Sequence, residues 1–232
     1  IYGAFDDDSG AFCRLDAGGS RVCRILYNCD DMLSCNRIRN AFCAAALLVC
    51  SVLSGQVKPG VEVLRDRGFS GLEGLRVGLV TNPSGVDRKL KSTIDILFDA
   101  PEVNLVALFA PEHGVRGDVY AGEKVQTDRD SRTGLPGYSL YGSTRQPTAE
   151  MLDGIDIMIY DIQDVGSRSY TFISTLGLVM RSCSEKEIPV MVLDRPNPLG
   201  GNKIEGPLVR DGFHSFVGQY KIPYIYGLTV GE

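Results

Sequence analysis

Acidic side chains stand directly behind apolar runs of this sequence, where they could give or take protons. Glu112 follows one such run, and Pro111 before it restrains the backbone. Asp161 and Asp164 bracket Gln163 behind another run. A carboxyl group held in this way can act as a general acid or base, and two close carboxylates can also hold a divalent cation. The spacing leaves both kinds of chemistry open.

The elements that must position these groups are predicted from hydrophobic patterning. Four apolar runs of five to eight residues, rich in Val, Ile and Leu, are typical of strands buried on both faces of a parallel sheet: Arg76–Thr81, Val103–Ala110, Ile155–Ile162 and Pro189–Leu193. Apolar residues at helical spacing predict helices over Asp87–Asp99 and Tyr170–Lys186. The alternation predicts an α/β fold with a Rossmann-like, open, mostly parallel sheet flanked by helices.

Each predicted strand runs into a polar loop rich in Pro or Gly, and a site is expected where these loops meet at the carboxyl ends of the strands. The first strand–helix turn lacks the glycine pattern that binds dinucleotides, and the phosphate-binding loop of nucleotide hydrolases is absent, so no nucleotide cofactor is expected. The segment Arg116–Pro147 has no clear periodicity. It is expected to be a flap over the site that contributes Tyr138 and Tyr141.

Composition narrows the class of protein further. The 232 residues carry 24 basic and 29 acidic side chains, for a net charge of −5, and no basic run that would indicate nucleic-acid binding. With only two histidines, His113 and His214, a histidine-rich zinc site is impossible. The chain is therefore expected to be an enzyme or a small-ligand binder.

The first quarter of the sequence resembles a targeting segment rather than part of a fold. Residues Met32–Ser54 run from basic through 13 apolar residues to small ones, which is the order of a secretory signal peptide and too short to span a membrane. A buried core helix is the alternative. We expect residues 1–31 to be non-native or upstream sequence, 55–232 to form the domain, and the protein to be exported, with lipoprotein anchoring unlikely.

Thr229 and Glu232 form the pattern of a capping box, in which a threonine and a glutamate three positions later open a helix. This pattern predicts that a helix begins at Thr229. We therefore expect that the domain is incomplete and that a smaller C-terminal domain is missing from this chain. The isolated segment is accordingly expected to be impaired in folding and activity.

Several strings resemble one family, the exo-β-N-acetylmuramidases. They include GLVTNPSGVDR (78–88), LFAPEHGVRGD (108–118), YDIQDVGSRSYTFIST (160–175) and VLDRPNPLGG (192–201). The resemblance runs from about Val61 to Glu232 and implies a Rossmann-like catalytic domain. It also implies an enzyme that releases terminal N-acetylmuramic acid from peptidoglycan fragments such as muropeptides or disaccharides, without a metal or other cofactor.

The resemblance assigns expected roles to particular residues. The family's PEHG motif maps onto Pro111–Gly114, which makes Glu112 the expected catalytic acid, with His113 orienting the substrate or serving the structure. The second catalytic carboxylate is expected among three residues: Asp161, Asp164 and Glu205. The acetamido group of the substrate could instead attack its own anomeric carbon, in which case no protein nucleophile is needed.

Substrate binding is expected from residues at the same strand ends. Of Arg116, Arg168 and Arg195, one is expected to grip the carboxylate of the lactyl group with its guanidinium fork, and surface ion pairing is the alternative for each. Asn82 and Asn197 would supply neutral sugar contacts and Tyr170 a stacking face. Two other functions stay open: a periplasmic carbohydrate-binding module without turnover, and a metal-dependent phosphoesterase.

Overall fold

The computed structural model describes residues 11–15, 21–25, 57–112, 114–117, 128–142 and 144–232. The chain divides into two compact units, Ile1–Gln56 and Val57–Glu232. In the first unit, strands β1 (Ala11–Leu15) and β2 (Arg21–Ile25) pair antiparallel, with Cys13 opposite Cys23. The signal peptide predicted over Met32–Ser54 lies outside the described residues and stays a prediction.

The second unit is built on a six-stranded sheet. Its strands are β3 (Arg76–Thr81), β4 (Asn104–Ala110), β5 (Asp128–Arg129), β6 (Pro136–Ser139), β7 (Ile157–Asp161) and β8 (Val190–Val192). The spatial order is β5-β6-β4-β3-β7-β8, and all neighbours pair parallel except β5 with β6. The five parallel strands, counted along the chain, therefore lie in the order 3-2-1-4-5 of a Rossmann-like sheet, which confirms the predicted α/β fold.

Helices cover both faces of this sheet. They are α1 (Gly60–Asp66), α2 (Thr93–Phe98) and α3 (Phe172–Ser184). Buried residues of α1 and α2 pack on one face against Val77 and Leu79, whereas Leu176 and Val179 of α3 pack on the other with Val80. The central strands β3, β4 and β7 are consequently buried on both sides, as their lack of polar alternation predicts, whereas β8 is half-buried.

Two predicted elements differ from the structure. The helix predicted over Asp87–Asp99 begins only at Thr93, because the Asp87 carboxylate holds the preceding segment in a turn by accepting from the backbone N–H groups of Lys89 and Lys91. Leu90 in that turn has a φ of 62° and is 81% exposed, so it does not belong to the apolar helix face. The side chain of Ser92 then caps α2 by accepting from the N–H of Asp95.

The prediction of an irregular flap over Arg116–Pro147 is wrong for part of that segment. Residues Pro136–Ser139 form β6, which adds a parallel strand beside β4. The sequence PGYS has neither the β-branched residues nor the apolar run that would identify a strand, so its pairing depends on the neighbouring strand rather than on local preference. The sequence pattern did not predict helix α1.

Candidate active site

The strand order reverses between β3 and β7, and ligands bind open α/β sheets in the crevice at this point. Thr81 and Asp161, the last residues of the two strands, are register partners, and the Thr81 hydroxyl donates to the Asp161 carbonyl oxygen at 2.8 Å. The loop after β3 folds back tightly over this point. A Cβ atom on Gly85 would lie 2.1 Å from Oγ1 of Thr81 and 2.9 Å from the Asp161 carbonyl oxygen, so a larger residue there would displace the loop.

Glu112 meets Tyr141 at the ends of two adjacent strands. In the parallel pair of β4 and β6, Ala110 lies opposite Ser139, and the N–H of Leu140 donates to the Ala110 carbonyl at 2.7 Å. Continuing this register places Tyr141 beside Glu112. The Glu112 carboxylate, as an acceptor and a negative charge near the phenol, raises the pKa of Tyr141, so the hydroxyl keeps its proton.

The sequence predicted no role for Tyr141 other than a place in the flap. Its position could have been inferred only with knowledge of β6, because the register of that strand carries Tyr141 to Glu112. Glu112 itself is half-buried, as its place after a buried strand suggests. His113 lies outside the described residues, and its predicted role stays a prediction.

Asp161 and Arg195 form a buried ion pair. The guanidinium donates from Nε to Oδ1 of Asp161 at 2.6 Å and from Nη2 to Oδ2 at 3.0 Å, and the Thr93 hydroxyl also donates to Oδ2. Both charged side chains are almost wholly shielded from solvent, with 6% of Arg195 and none of Asp161 exposed. Nη2 of Arg195 further donates to the carbonyl of Val86 at 2.9 Å. The pair thus ties together the loops after β3, β7 and β8.

This pairing bears on two roles predicted from the sequence. The fork of Arg195 is directed at Asp161 rather than at an open cleft, and both oxygens of Asp161 accept bonds from the protein. The arrangement favours a positioning role for both residues over direct contact with a substrate. Their direct catalytic and binding roles stay predictions.

Asp164 is buried beside Tyr226. Its Oδ1 accepts from the N–H groups of Val165 and Gly166, at 2.5 and 3.2 Å. Its Oδ2 and the Tyr226 hydroxyl are both buried and interact electrostatically, although they lack the geometry of a normal hydrogen bond. Burial raises the pKa of Asp164, and burial together with the nearby carboxylate raises that of Tyr226. The residues that enclose Asp164 leave no room for a water molecule: Gly166, Arg195, Pro196, Asn197, Tyr226, Leu228, Thr229 and Val230.

The other two predicted carboxylate-binding arginines are also engaged within the protein. Arg116 makes ion pairs with Asp95 and Asp130, and these lower the pKa of Asp130 and raise that of the arginine. Arg168 donates to the carbonyls of Pro207 and Ile222, at 2.8 and 2.6 Å. Arg116 therefore fixes the loop after β4, and Arg168 fastens the segment near the C-terminus to the loop before α3.

The remaining residues that the sequence predicted for the site differ in how far they are exposed to solvent. Asn82 is buried and its Oδ1 accepts from the N–H and hydroxyl of Ser84, while both polar groups of the Asn197 side chain bond to backbone atoms. Tyr170 is 50% exposed, which leaves a ring face accessible. Glu205 lies at the surface, where its carboxylate is 3.4 Å from Nζ of Lys203 and its backbone pairs with Ile225. No described contact joins Glu205 to Glu112.

At the chain end, Thr229 and Glu232 make the reciprocal bonds of the predicted capping box. The N–H of Thr229 donates to Oε2 of Glu232 at 2.8 Å, and the N–H of Glu232 donates to the Thr229 hydroxyl at 3.3 Å. Asp194 accepts from the Thr229 hydroxyl and from the N–H of Gly231. The loop after β8 thereby holds this segment against the site.

Within the described residues, no group of three or more His, Cys, Asp or Glu side chains could hold a metal ion. Within the same residues, no helix has the length and hydropathy needed to cross a bilayer.

Comparison with known proteins identifies relatives of the second unit. Peptidoglycan beta-N-acetylmuramidase NamZ of Bacillus subtilis (strain 168) is 52% identical over 177 residues, which are 76% of this chain and 43% of that protein. Two crystal structures of DUF1343 family proteins from Bacteroides fragilis NCTC 9343 align with 62% and 35% sequence identity and TM-scores of 0.70 and 0.65. They cover 75% and 76% of this chain, and the chain spans 44% and 45% of theirs.

The chain thus spans less than half the length of each of these relatives. Residues 77–232 match the family model described as "Exo-beta-N-acetylmuramidase NamZ, N-terminal". This stretch begins in β3 and includes every residue of the switch point, the Glu112–Tyr141 pair and the capping box. The chain belongs to the NamZ family, of which it carries the N-terminal part.

Proposed function

We propose that this chain carries the catalytic part of an exo-acting glycoside hydrolase that releases terminal N-acetylmuramic acid from peptidoglycan fragments. The observation that carries the proposal is the place of Glu112, a half-buried carboxyl group that follows β4 and lies beside Tyr141 at the carboxyl ends of β4 and β6. The name of the Bacillus subtilis relative supplies the substrate class.

Glu112 is the proton donor in this proposal. Cleavage of a glycosidic bond requires protonation of the departing oxygen, since an alkoxide is a poor leaving group. Tyr141 lies beside Glu112 and serves to orient its carboxyl group, and the phenol remains protonated because its pKa is raised. A group held in position by a second side chain loses less entropy on reaching the geometry of proton transfer.

The acetamido group of the substrate is the nucleophile. Each of the three carboxylates predicted for this step is engaged elsewhere: Asp161 by Arg195, Asp164 by its enclosed site, and Glu205 by Lys203. The acetamido oxygen therefore attacks the anomeric carbon as its bond to the leaving sugar breaks, and Glu112 gives its proton to the departing oxygen. Water then opens the resulting oxazolinium ion and returns a proton to Glu112.

Export belongs to the same proposal. Peptidoglycan lies outside the cytoplasmic membrane, and the Met32–Ser54 segment has the order of a signal peptide. A mature N-terminus near Gly55, found by sequencing of exported protein, would agree with it. An exported protein that retains the apolar run Ala41–Leu53 would contradict it.

Turnover of a chromogenic N-acetylmuramide tests the activity. Glu112→Gln keeps the shape of the side chain but has no acidic proton, so kcat should fall by roughly 10²–10⁴. The fall in kcat should be much smaller on a substrate with a very good leaving group, because departure of that group needs little protonation. Glu102→Gln, at an exposed glutamate before β4, is the matched control.

Two results would overturn the proposal. Wild-type rates of Glu112→Gln on both substrates would show that Glu112 does not deliver the proton. Binding of N-acetylmuramides without any release of chromophore by the wild-type protein would favour a carbohydrate-binding module instead.

A further inference from the structure

A cavity of about 720 Å³ opens where three segments meet: the loop after β6, the exposed side of α3, and the turn around Ser215. Its lining residues are Gly142, Thr144, Arg145, Gln146, Leu178, Arg181, His214, Ser215, Phe216 and Gln219. The sequence assigned none of these residues to a site. The volume is in the range of pockets that bind small ligands.

The lining is cationic. Arg145 and Arg181 contribute two permanent positive charges, and no acidic side chain is among the described lining residues. The guanidinium of Arg145 stacks over the ring of Phe216, with 4.4 Å from Cζ to the ring centroid, and Arg181 donates from Nη2 to Oε1 of Gln146. Stacking on a ring face leaves the N–H edges of a guanidinium available to a planar acceptor.

Arg145 and Arg181 differ in their contacts from the three arginines that the sequence predicted to bind the substrate. Within the described residues, Arg116 and Arg195 are paired with carboxylates, and Arg168 is bonded to two carbonyls. Arg145 and Arg181 form no ion pair with a described carboxylate. Their charges are therefore not matched by a carboxylate within the part of the domain that the structure describes.

The cavity adjoins the proposed catalytic pair. Gly142, which lines the cavity, directly follows Tyr141 in the chain. Arg145 lies close enough to Tyr141 that its positive charge acts on the phenol, opposing the effect of Glu112. A sugar that places its glycosidic oxygen at Glu112 would thus lie beside the cationic cavity.

We propose that this cavity binds a carboxylate of the substrate through Arg145 and Arg181 and so selects N-acetylmuramic acid over N-acetylglucosamine. The inference rests on the proposed function. An N-acetylmuramyl residue carries its carboxylate either on the lactyl ether or, when a peptide is attached to that ether, on the peptide. Both present the same planar acceptor, which a guanidinium binds with two parallel hydrogen bonds.

Equilibrium binding tests the proposal independently of turnover. Titration calorimetry on the full chain would compare N-acetylmuramic acid, its methyl ester, and a muramyl dipeptide. Loss of a charge-assisted hydrogen bond should weaken binding of the acid by about 10-fold or more in Arg145→Gln and in Arg181→Gln. Binding of the methyl ester should be unaffected, because the ester has no charge to lose.

The variants also distinguish the two sources of the carboxylate. A loss confined to the muramyl dipeptide would place the peptide carboxylate in the cavity, and a loss on the free acid would place the lactyl group there. Arg145→Lys keeps the charge without the fork and should recover only part of the affinity. Arg67→Gln, at an exposed arginine after α1, is the matched control and should bind all three ligands as the wild type does.

The proposal is overturned if Arg145→Gln and Arg181→Gln match Arg67→Gln on every ligand, or if the wild type binds neither the acid nor the dipeptide. Failure of the proposed function would show differently, as an absence of turnover with the selective binding intact.

Discussion

Tyr141 lies beside the carboxylate of Glu112, although the two residues follow different strands of the sheet. The parallel register of β4 and β6 brings them together, since Ala110 pairs with Ser139 and each chain then continues for two residues. The positions of Glu112 and Tyr141 are thus set by one strand pairing. The sheet, rather than the loop alone, sets their geometry.

The interaction of Tyr141 with Glu112 predicts the effect of removing one oxygen atom. Tyr141→Phe keeps the ring but takes away the polar neighbour of Glu112, and the interaction of a polar group with a charged one corresponds to a roughly 10- to 100-fold effect. We expect kcat on an N-acetylmuramide to fall by about that factor with KM little changed, because the proposed role of Tyr141 is to position the acid rather than the sugar.

Tyr138→Phe is the matched control for this experiment. Tyr138 lies on β6, where its ring packs 5.3 Å from that of Phe109, so the variant keeps the packing and loses a hydroxyl elsewhere. Its kcat should stay close to wild type. Equal losses in the two variants would show that Tyr141 acts through the strand and not through Glu112.

Much of the fold follows from patterns that are local in the sequence. The run Arg76–Thr81 matches β3 at both ends, and the other three predicted strands each contain the observed one. Three of these strands, β3, β4 and β7, are largely buried, and a run of apolar residues identifies all four in the sequence. Strand β6 has no such mark, because its PGYS sequence becomes a strand only by pairing with β4.

The site was harder to predict than the fold. Its candidate residues were proposed because polar groups at strand ends stand out in sequence, but the partners of these groups could not be predicted from spacing. The sequence assigned both Asp161 and Arg195 to the substrate. In the structure their side chains pair with each other, Asp161 at the end of β7 and Arg195 in the loop after β8. Arg145 and Arg181 were passed over because a cationic cavity built from three distant segments leaves no local motif.

The buried pair of Asp161 and Arg195 predicts a loss of stability when it is broken. Arg195→Gln would leave Asp161 charged and without its fork, and an uncompensated buried charge costs about 3–5 kcal/mol. For a domain of this size the Tm should fall by roughly 6–20 °C. The double variant Asp161→Asn with Arg195→Gln should recover part of that loss, because no unpaired charge remains.

The exposed pair of Arg76 and Asp156 provides the control, since Arg76→Gln should change the Tm little. A different result would return Arg195 to the role first predicted from the sequence. If Arg195→Gln keeps its Tm but raises the KM for N-acetylmuramides, the arginine contacts the substrate.

Burial of Asp164 predicts a specific dependence of stability on pH. Burial raises the pKa of this carboxyl group in the folded chain, whereas in the unfolded chain it lies near 3.9. The folded state therefore binds the proton more tightly. The stability that this proton binding contributes is fully present below the pKa that Asp164 has in the unfolded chain. It is lost as the pH rises through the pKa that Asp164 has in the folded chain.

Asp164→Asn should abolish the loss of stability that accompanies ionisation of Asp164 as the pH rises. The amide has no charge to bury, and its oxygen can still accept from the N–H groups of Val165 and Gly166. We expect a higher Tm than wild type near pH 7, with the difference shrinking as the pH falls toward about 4. Thermal denaturation over this range measures it, with Asp153→Asn at an exposed aspartate as the control. A lower Tm at neutral pH would show that the charged carboxylate stabilises the fold.

Participation of the substrate's acetamido group predicts how the rate responds to changes in the substrate alone. Fluorine atoms on the acetyl methyl withdraw electrons from the carbonyl oxygen and weaken it as a nucleophile. The kcat should therefore fall steeply from the acetyl to the monofluoroacetyl and then to the trifluoroacetyl substrate. A protein carboxylate acting as nucleophile would show only a shallow dependence, because the acetamido group would then stay outside the bond that forms. The released sugar should retain its anomeric configuration, which proton NMR of the fresh product would show. A flat series of rates, or an inverted product, would overturn this step while leaving Glu112 as the acid.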